Sequence, residues 1–285
     1  MKATTYKTFV LLENIQFWLL GIGASLITIH LSVISRNSSI EVLFINIAFL
    51  AFICFSIKEK HYSFNLESGA ISSSLGFLLI ILVFLNNTVQ INFGGLFPFY
   101  PLISGLGIAL LASGFKGLKQ YQTELLALFF LSAHRLLSIV ASDISLLTAK
   151  FTTSLLWYTG FKVARSGVNI ILPTGSIKIY AACAGMSVIL NLLSLALLFI
   201  LIFNLNWKQK IIVPTVAAIF GFVVNGVRVA LMAILVAQGD KQAFEYWHLG
   251  DGSLIFAMIS AILFGSFCWV LLSMNQQKNQ NAMES

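Results

Sequence analysis

Long apolar stretches separated by short polar segments recur along the whole chain. Each is roughly 17 to 25 residues long, the length that an α-helix needs to cross the hydrocarbon core of a bilayer. Backbone exposed to lipid must satisfy its own hydrogen bonds, and the stretches lack the alternation of barrel strands, so the pattern predicts transmembrane helices. Eight spans are predicted, over residues 17–34, 40–57, 70–85, 96–113, 125–140, 187–204, 211–236 and 254–273.

Two residue pairs interrupt this pattern. Pro98 and Pro101 should bend or break the start of the fourth span, because proline lacks the main-chain N–H that a helix uses. His134 and Arg135 place polar groups inside the fifth span.

A different pattern lies between the fifth and sixth spans. Apolar residues from Ile144 to Tyr158 follow the helical repeat, and Thr148, Lys150 and Thr152 fall mostly elsewhere around the turn. The pattern predicts an interfacial helix with a polar face. The alternative, that 144–160 spans the bilayer, would move every later loop to the other side.

Residues 168–180 predict a short β-hairpin on the outer side. Two runs rich in β-branched residues flank Pro173-Thr-Gly175, and side chains alternate in character from Ile177 to Tyr180. Such runs around a proline–glycine turn are typical of paired strands. The predicted fold is therefore an all-α polytopic membrane protein with about eight spans, an interfacial helix and this hairpin.

Composition agrees with a membrane protein. Of 285 residues, 58% are hydrophobic and 9% are charged. A soluble domain carries about 25% charged residues, so this chain has too few to cover a soluble core. The excess of positive charge is a topology signal, since its members are spread among loops rather than clustered on one face. No nucleic-acid partner is expected.

Lysines set the predicted orientation. If both termini lie in the cytoplasm, the positive charges of alternate loops fall on the cytoplasmic side, as in most membrane proteins. These lysines are Lys2, Lys7, Lys58, Lys60, Lys116, Lys119, Lys208, Lys210 and Lys278. The exception is a longer outer segment that carries Lys150, Lys162, Arg165 and Lys178.

Cys183 is the candidate nucleophile. It lies where the hairpin meets the sixth span, so the positive end of a helix dipole favours its thiolate. The small neighbours Ala182, Ala184 and Gly185 leave the sulfur accessible. The chain has three cysteines and no obvious outer partner for this one, so a disulfide is not expected.

Polar residues on two helices surround this cysteine in the predicted topology. Ser187 and Asn191 continue from Cys183 along one face of the sixth span, and Asn225 and Arg228 share a face of the seventh. A buried arginine costs at least ~2.5 kcal/mol by insertion scales, so it needs a partner or a task. Arg228 either serves the site or only bonds the neighbouring asparagines.

His248 lies in the outer loop before the eighth span, on the same side as Cys183. A thiolate, an imidazole and a guanidinium are the groups of a cysteine acyl-transfer site: nucleophile, acid/base and oxyanion stabiliser. Asp251 or Glu245 would orient the imidazole, and the sequence does not choose between them. No metal or cofactor is expected.

Three short blocks, in order and at matching spacing, resemble the signature of the exosortase/archaeosortase family. They are Ala182-Cys-Ala-Gly185, Asn225-Gly-Val-Arg228 and His248-Leu-Gly-Asp-Gly252. The likeness is clear over about 143–273, and 143–175 is similar to the cyanobacterial branch. One departure is Ala184, where the family usually has serine.

The resemblance implies a membrane cysteine protease or transpeptidase of the bacterial inner membrane. Cys183 would be the nucleophile, Arg228 the oxyanion or positioning group and His248 the acid/base. Its partners would be exported proteins with a C-terminal signal: a motif such as Pro-Glu-Pro, one transmembrane helix and a basic tail. These proteins would be cut near the motif and passed to an acceptor.

The implied organisation is a single membrane domain. It comprises a five-helix part (1–141), the interfacial helix and hairpin (142–182), the catalytic helices (183–274) and a polar tail (275–285). A non-enzymatic transporter or scaffold with a polar helix interface is the alternative, since an intramembrane arginine also suits those classes.

Overall fold

The structure is a computed structural model of the whole chain. It describes residues 15–89, 97–140, 143–248, 250 and 252–284, except for the side chains of 87–89, 97, 134–136, 138–140 and 278–284. The chain forms two compact units, Met1–Leu136 and Leu137–Ser285. The candidate residues all belong to the second unit.

The first unit is made of helices. They are α1 (Ile15–Asn37), α2 (Ile40–Lys60), α3 (Ala70–Val89), α4 (Tyr100–Gly117) and α5 (Gln122–Val140), whose last residues belong to the second unit. Close contact between α3 and α4 depends on two glycines, since a Cβ on Gly76 would lie 2.6 Å from the carbonyl oxygen of Gly107. Small residues at a crossing let two membrane helices approach closely.

Prolines mark the beginning of α4, as predicted. Pro101 lies in its first turn, where the missing N–H has no helical partner in any case, and Pro98 lies in the preceding 3₁₀ turn, Phe97–Phe99. The main irregularity of α4 comes later, at Gly114, whose φ of 63° is non-helical. Helix α5 continues through His134 and Arg135 without a break.

The second unit combines helices with a small sheet. Its elements are α6 (Ser145–Tyr158), β1 (Ala164–Ser166), β2 (Asn169–Leu172), β3 (Gly175–Lys178), α7 (Met186–Ile202), α8 (Trp207–Gln238), α9 (Lys241–His248) and α10 (Gly252–Glu284). The predicted polar tail is thus helical up to Glu284, as a continuation of α10.

Three strands, rather than the predicted two, form the sheet in the order β1-β2-β3. The hairpin around Pro173 is present as β2 and β3, which pair antiparallel with Ile170 opposite Ile177. The prediction missed β1, which pairs with β2 so that Ser166 lies opposite Asn169. Its sequence, Ala164-Arg-Ser166, has no apolar alternation that periodicity could detect.

Helix α8 is the central element of the second unit. Its first half packs with α7 and α10 around residues such as Val213 and Phe264, and its second half packs with α6 and the sheet around Val229 and Ile170. A capping box between Asn206 and Gln209 begins this helix.

Helix α6 is oriented differently from the prediction. Its buried residues are Ser145, Thr148, Ala149, Thr152 and Leu156, whereas Leu147 is 54% exposed. The face with small and polar residues therefore packs on the protein, and several apolar residues face outward. Small residues let two helices approach closely, which suits this face to a helix contact.

Five helical segments of the described residues are long and apolar enough to cross a membrane. They are Ile15–Asn37, Ile40–Ser63, Tyr100–Ala133, Trp207–Gln238 and Gly252–Gln277. Shorter apolar helices occupy Ala70–Asn86 and Met186–Ile202. The chain is thus an all-α membrane protein with a small sheet. The structure has a helix in each of the eight predicted segments, but the number of spans stays a prediction.

Candidate active site

Cys183 lies on a short turn between the sheet and α7. After β3 the chain forms a 3₁₀ turn, Ala181–Cys183, in which the N–H of Cys183 donates to the carbonyl oxygen of Tyr180 at 2.9 Å. Gly185, with φ of 99°, then redirects the chain into α7. Cys183 is a free, partly exposed cysteine. The sequence therefore places the thiol on a tight loop at the beginning of a helix.

Two side chains from other helices fix this loop through its carbonyl groups. The amide Nδ2 of Asn225, on α8, donates to the carbonyl oxygen of Cys183 at 3.2 Å. The hydroxyl of Thr148, on α6, donates to the carbonyl oxygen of Ala184 at 2.7 Å. Both donors are buried, Asn225 at 2% and Thr148 at 0% exposure. These hydrogen bonds replace the ones that the buried groups would otherwise make with water, and they hold the loop in this conformation.

Gly185 is required for this arrangement on two grounds. Its positive φ is a conformation that side chains other than glycine rarely adopt. A Cβ at this position would also lie 2.6 Å from Nδ2 of Asn225. The conformation of Gly185 and its missing side chain together let Asn225 reach the carbonyl of Cys183.

His248 meets Cys183 from the last turn of α9. Its Nε2 lies 3.2 Å from Sγ of Cys183, which is hydrogen-bond distance for a sulfur pair. The imidazole stacks on the ring of Phe244, one turn earlier, with centroids 5.0 Å apart and planes 28° apart. Asp240 caps this helix by accepting from the N–H of Ala243 at 2.9 Å. A capped helix and a stacked ring thus orient the imidazole toward the thiol.

Arg228 fixes the end of α9. Its Nη2 donates to the carbonyl oxygen of His248 at 2.6 Å, and its Nε donates to that of Trp247 at 3.4 Å. The last carbonyls of a helix have no partners within the helix and carry its negative dipole end, so a cation is favourable there. This arginine on α8 therefore holds the main chain that carries the imidazole.

The surroundings of His248 favour a neutral imidazole. Burial, and then the positive charge of Arg228, lower the pKa of His248 below its ordinary value of 6.5. A neutral imidazole beside a thiol can accept the thiol proton, which is the first step of cysteine acyl transfer.

Other predicted residues differ in position. Asn191 is partly buried on α7, whereas Ser187 is exposed and its hydroxyl makes no hydrogen bond to the described residues. Glu245 is exposed, and Asp251 lies outside the described residues. The ring that orients His248 in the described part of the chain is Phe244, not a carboxylate.

Thr148 and Phe244 were missed by the sequence analysis. Thr148 and Thr152, four residues apart on α6, were assigned to a polar face at the membrane interface; instead Thr152 donates to the carbonyl oxygen of Gly226 at 3.3 Å. Two threonines at this spacing in an apolar helix also fit hydrogen bonds to a neighbouring helix. Phe244 precedes His248 by four residues, the spacing of a contact on one helix face.

Ala184 is buried at 1% exposure among the apolar residues between the sheet and α8. A serine in place of Ala184 would add a hydroxyl at this packed position. Alanine keeps the main-chain carbonyl that Thr148 binds.

Comparison with known proteins identifies one family. The model of the transmembrane exosortase family matches residues 12–265, most of the chain. No curated protein matches the chain, and neither does any solved structure. Because the match covers both compact units and includes Cys183, Arg228 and His248, the chain belongs to the transmembrane exosortase family.

Proposed function

We propose that this protein is a cysteine peptidase or transpeptidase that cuts C-terminal sorting signals from exported proteins. The observation that carries the proposal is the 3.2 Å contact between Sγ of Cys183 and Nε2 of His248. It unites a nucleophile and a base that are 65 residues apart in the sequence. Family membership supports the same class of chemistry.

The reaction follows from these two groups. Nε2 of His248 takes the proton of the Cys183 thiol while the sulfur forms a bond to the scissile carbonyl carbon. The tetrahedral intermediate then collapses, the C–N bond breaks, and the imidazolium gives its proton to the leaving amine. The product is a thioester on Cys183. Water or another nucleophile loses a proton to His248, attacks the thioester and releases the thiol.

Arg228 has two roles in this proposal. Its hydrogen bonds to the carbonyls of Trp247 and His248 position the base. Its positive charge, beside the reacting groups, stabilises the oxyanion of the tetrahedral intermediate, because a charge in a partly buried site acts more strongly than in water.

The substrates are exported proteins with a short motif such as Pro-Glu-Pro, one transmembrane helix and a basic tail. In the proposed topology the chain crosses the inner membrane of a bacterium eight times, with both termini in the cytoplasm and Cys183 toward the outer face. The lysines of alternate loops support this orientation. The substrate helix would reach the site within the plane of the bilayer.

Mass spectrometry of a co-expressed reporter with such a signal tests the function. We expect wild-type protein to generate a new reporter C-terminus near the motif, and Cys183→Ala to leave the reporter intact. Cys54→Ala is the matched control, because Cys54 is a free cysteine on α2, outside the site. Normal processing by Cys183→Ala would disprove the proposal. A transporter would instead show uptake that survives Cys183→Ala.

A further inference from the structure

Strand β3 is an edge strand of the sheet, with a free edge as far as the described residues go. Two contacts show which residues of β3 exchange main-chain hydrogen bonds with β2. Gly175 pairs with Leu172 at the turn, and the N–H of Ile179 donates to the carbonyl oxygen of Val168 at the other end. In an antiparallel pair the residues between them direct their main-chain groups away from the partner strand. Ser176 and Lys178 are these residues, and they make no main-chain hydrogen bond to the rest of the described chain.

This edge leads directly to the candidate nucleophile. Both Ser176 and Lys178 are exposed, and the chain passes from Lys178 through Tyr180 into the 3₁₀ turn that carries Cys183. An extended peptide that pairs with this edge would therefore lie beside the segment that leads to Cys183.

The stretch of chain from α6 to the end of β3, residues 145–178, is strongly basic and is called the basic segment below. Lys150, Lys162, Arg165 and Lys178 lie within it, and residues 144–239 contain no aspartate or glutamate. Among the described residues the ion pair is Lys60 with Glu124, in the other unit, so none of these four cations has a carboxylate partner there. Lys178 lies over the exposed ring of Tyr180, with Nζ 5.3 Å from its centroid.

The position of these charges also runs against the usual distribution. Positive residues concentrate on the cytoplasmic side of membrane proteins, and the proposed topology places this segment outside. Basic residues on the unfavoured side that form no ion pair among the described residues are suited to bind an acidic partner.

We propose that the free edge of β3 is the docking strand for the substrate, which binds as an extended segment with a carboxylate side chain opposite Lys178. This inference rests on the proposed function. Main-chain hydrogen bonds from Ser176 and Lys178 would supply affinity, as in other complexes where a peptide adds a strand to a sheet. A residue directly opposite Lys178 has its Cβ about 4.5–5.5 Å from that of Lys178, so the two charges can pair.

The experiment uses full-length protein in membranes and reporters with Glu, Gln or Lys at one position before the transmembrane helix. Lys178→Glu tests the charge, and Lys162→Glu is its control in the same basic segment. Ser176→Pro removes an N–H from the free edge of β3. Arg165→Pro is its control, because Arg165 occupies the equivalent outward position on the opposite edge, in β1.

We expect Lys178→Glu to slow processing of the Glu reporter about tenfold. The same variant should process the Lys reporter at close to the wild-type rate, because reversal of both charges restores the ion pair. Ser176→Pro should slow every reporter, and each control should have a clearly smaller effect than its test variant. Equal effects of Lys178→Glu and Lys162→Glu, independent of the reporter's charge, would contradict the proposal and indicate a role at the lipid surface.

Photo-crosslinking gives a readout that does not need cleavage. With a photoreactive residue at position 176 in the Cys183→Ala protein, the Glu reporter should crosslink, and with the same residue at position 165 it should not. Absence of the crosslink, or crosslinks to lipid only, would overturn the docking strand. If the crosslink forms but the wild-type protein shows no cleavage that depends on Cys183, the result would instead count against the proposed function.

Discussion

Arg228 donates a 2.6 Å hydrogen bond to the carbonyl oxygen of His248, the residue whose imidazole meets Cys183. The guanidinium thus acts on the main chain that carries the proposed base. Through a second hydrogen bond, to the carbonyl oxygen of Trp247, the guanidinium binds two successive main-chain carbonyls. An arginine that would be costly within a membrane helix is therefore explained by its role at the end of α9.

Replacement of Arg228 should separate its charge from its geometry. Lysine keeps the charge, but a single ammonium cannot reproduce a planar fork that donates to two carbonyls. We expect Arg228→Lys to lower kcat about 10- to 100-fold with little change in KM, since small displacements of a catalytic group have effects of this size. Reporter-cleavage kinetics measure this. Arg165→Lys, on the exposed strand β1, is the control; near-normal kcat for Arg228→Lys would rule out the positioning role.

The pH dependence of cleavage should reflect the lowered pKa of His248. Burial and then the charge of Arg228 disfavour the imidazolium, so the pKa of His248 lies below 6.5. The acid limb of kcat/KM should therefore lie below pH 6.5. In Arg228→Gln it should move upward but remain below that value, because burial is the larger cause. A limb above 6.5 in the wild type would indicate that a thiolate stabilises the imidazolium.

Gly185 and Gly239 form a matched pair for testing the cysteine loop. Both have positive φ, at 99° and 76°, but a Cβ on Gly239 would meet nothing within 4 Å. Gly239→Ala should cost only the strain of the backbone, about 1–2 kcal/mol. Gly185→Ala should add the clash with Asn225 and abolish reporter cleavage. Thermal unfolding of both variants in detergent measures the difference, and equal unfolding temperatures with normal cleavage would refute it.

The structure brings the predicted pair Cys183 and His248 into contact, but the sequence did not predict the residues that support them. The sequence predicted the two residues on one side of the membrane from the lysines in alternate loops, and that topology stays a prediction. The role of Thr148 could not be predicted, because the face of α6 that packs on the protein carries small and polar residues, whereas apolar residues such as Leu147 are exposed. Strand β1 was hidden for another reason: Ala164-Arg-Ser166 forms a strand only because β2 supplies its hydrogen-bond partners.

Thr148 provides a test of whether α6 supports catalysis. Its hydroxyl is the partner of the buried carbonyl of Ala184, next to Cys183. Thr148→Val keeps the shape but leaves that carbonyl unsatisfied, at a cost of about 1–3 kcal/mol. Thr153→Val is the control, because the hydroxyl of Thr153 bonds only to the carbonyl of Ala149 on its own helix.

We expect Thr148→Val to lower the rate at which an alkylating reagent modifies Cys183 and to lower kcat, and Thr148→Ser to restore both, because serine keeps the donor. The serine rescue separates positioning from bulk packing, since serine lacks the methyl group that valine retains. If valine and serine at 148 had the same effect, packing alone would account for this residue, and the nucleophile loop would owe its conformation to Gly185 and Asn225.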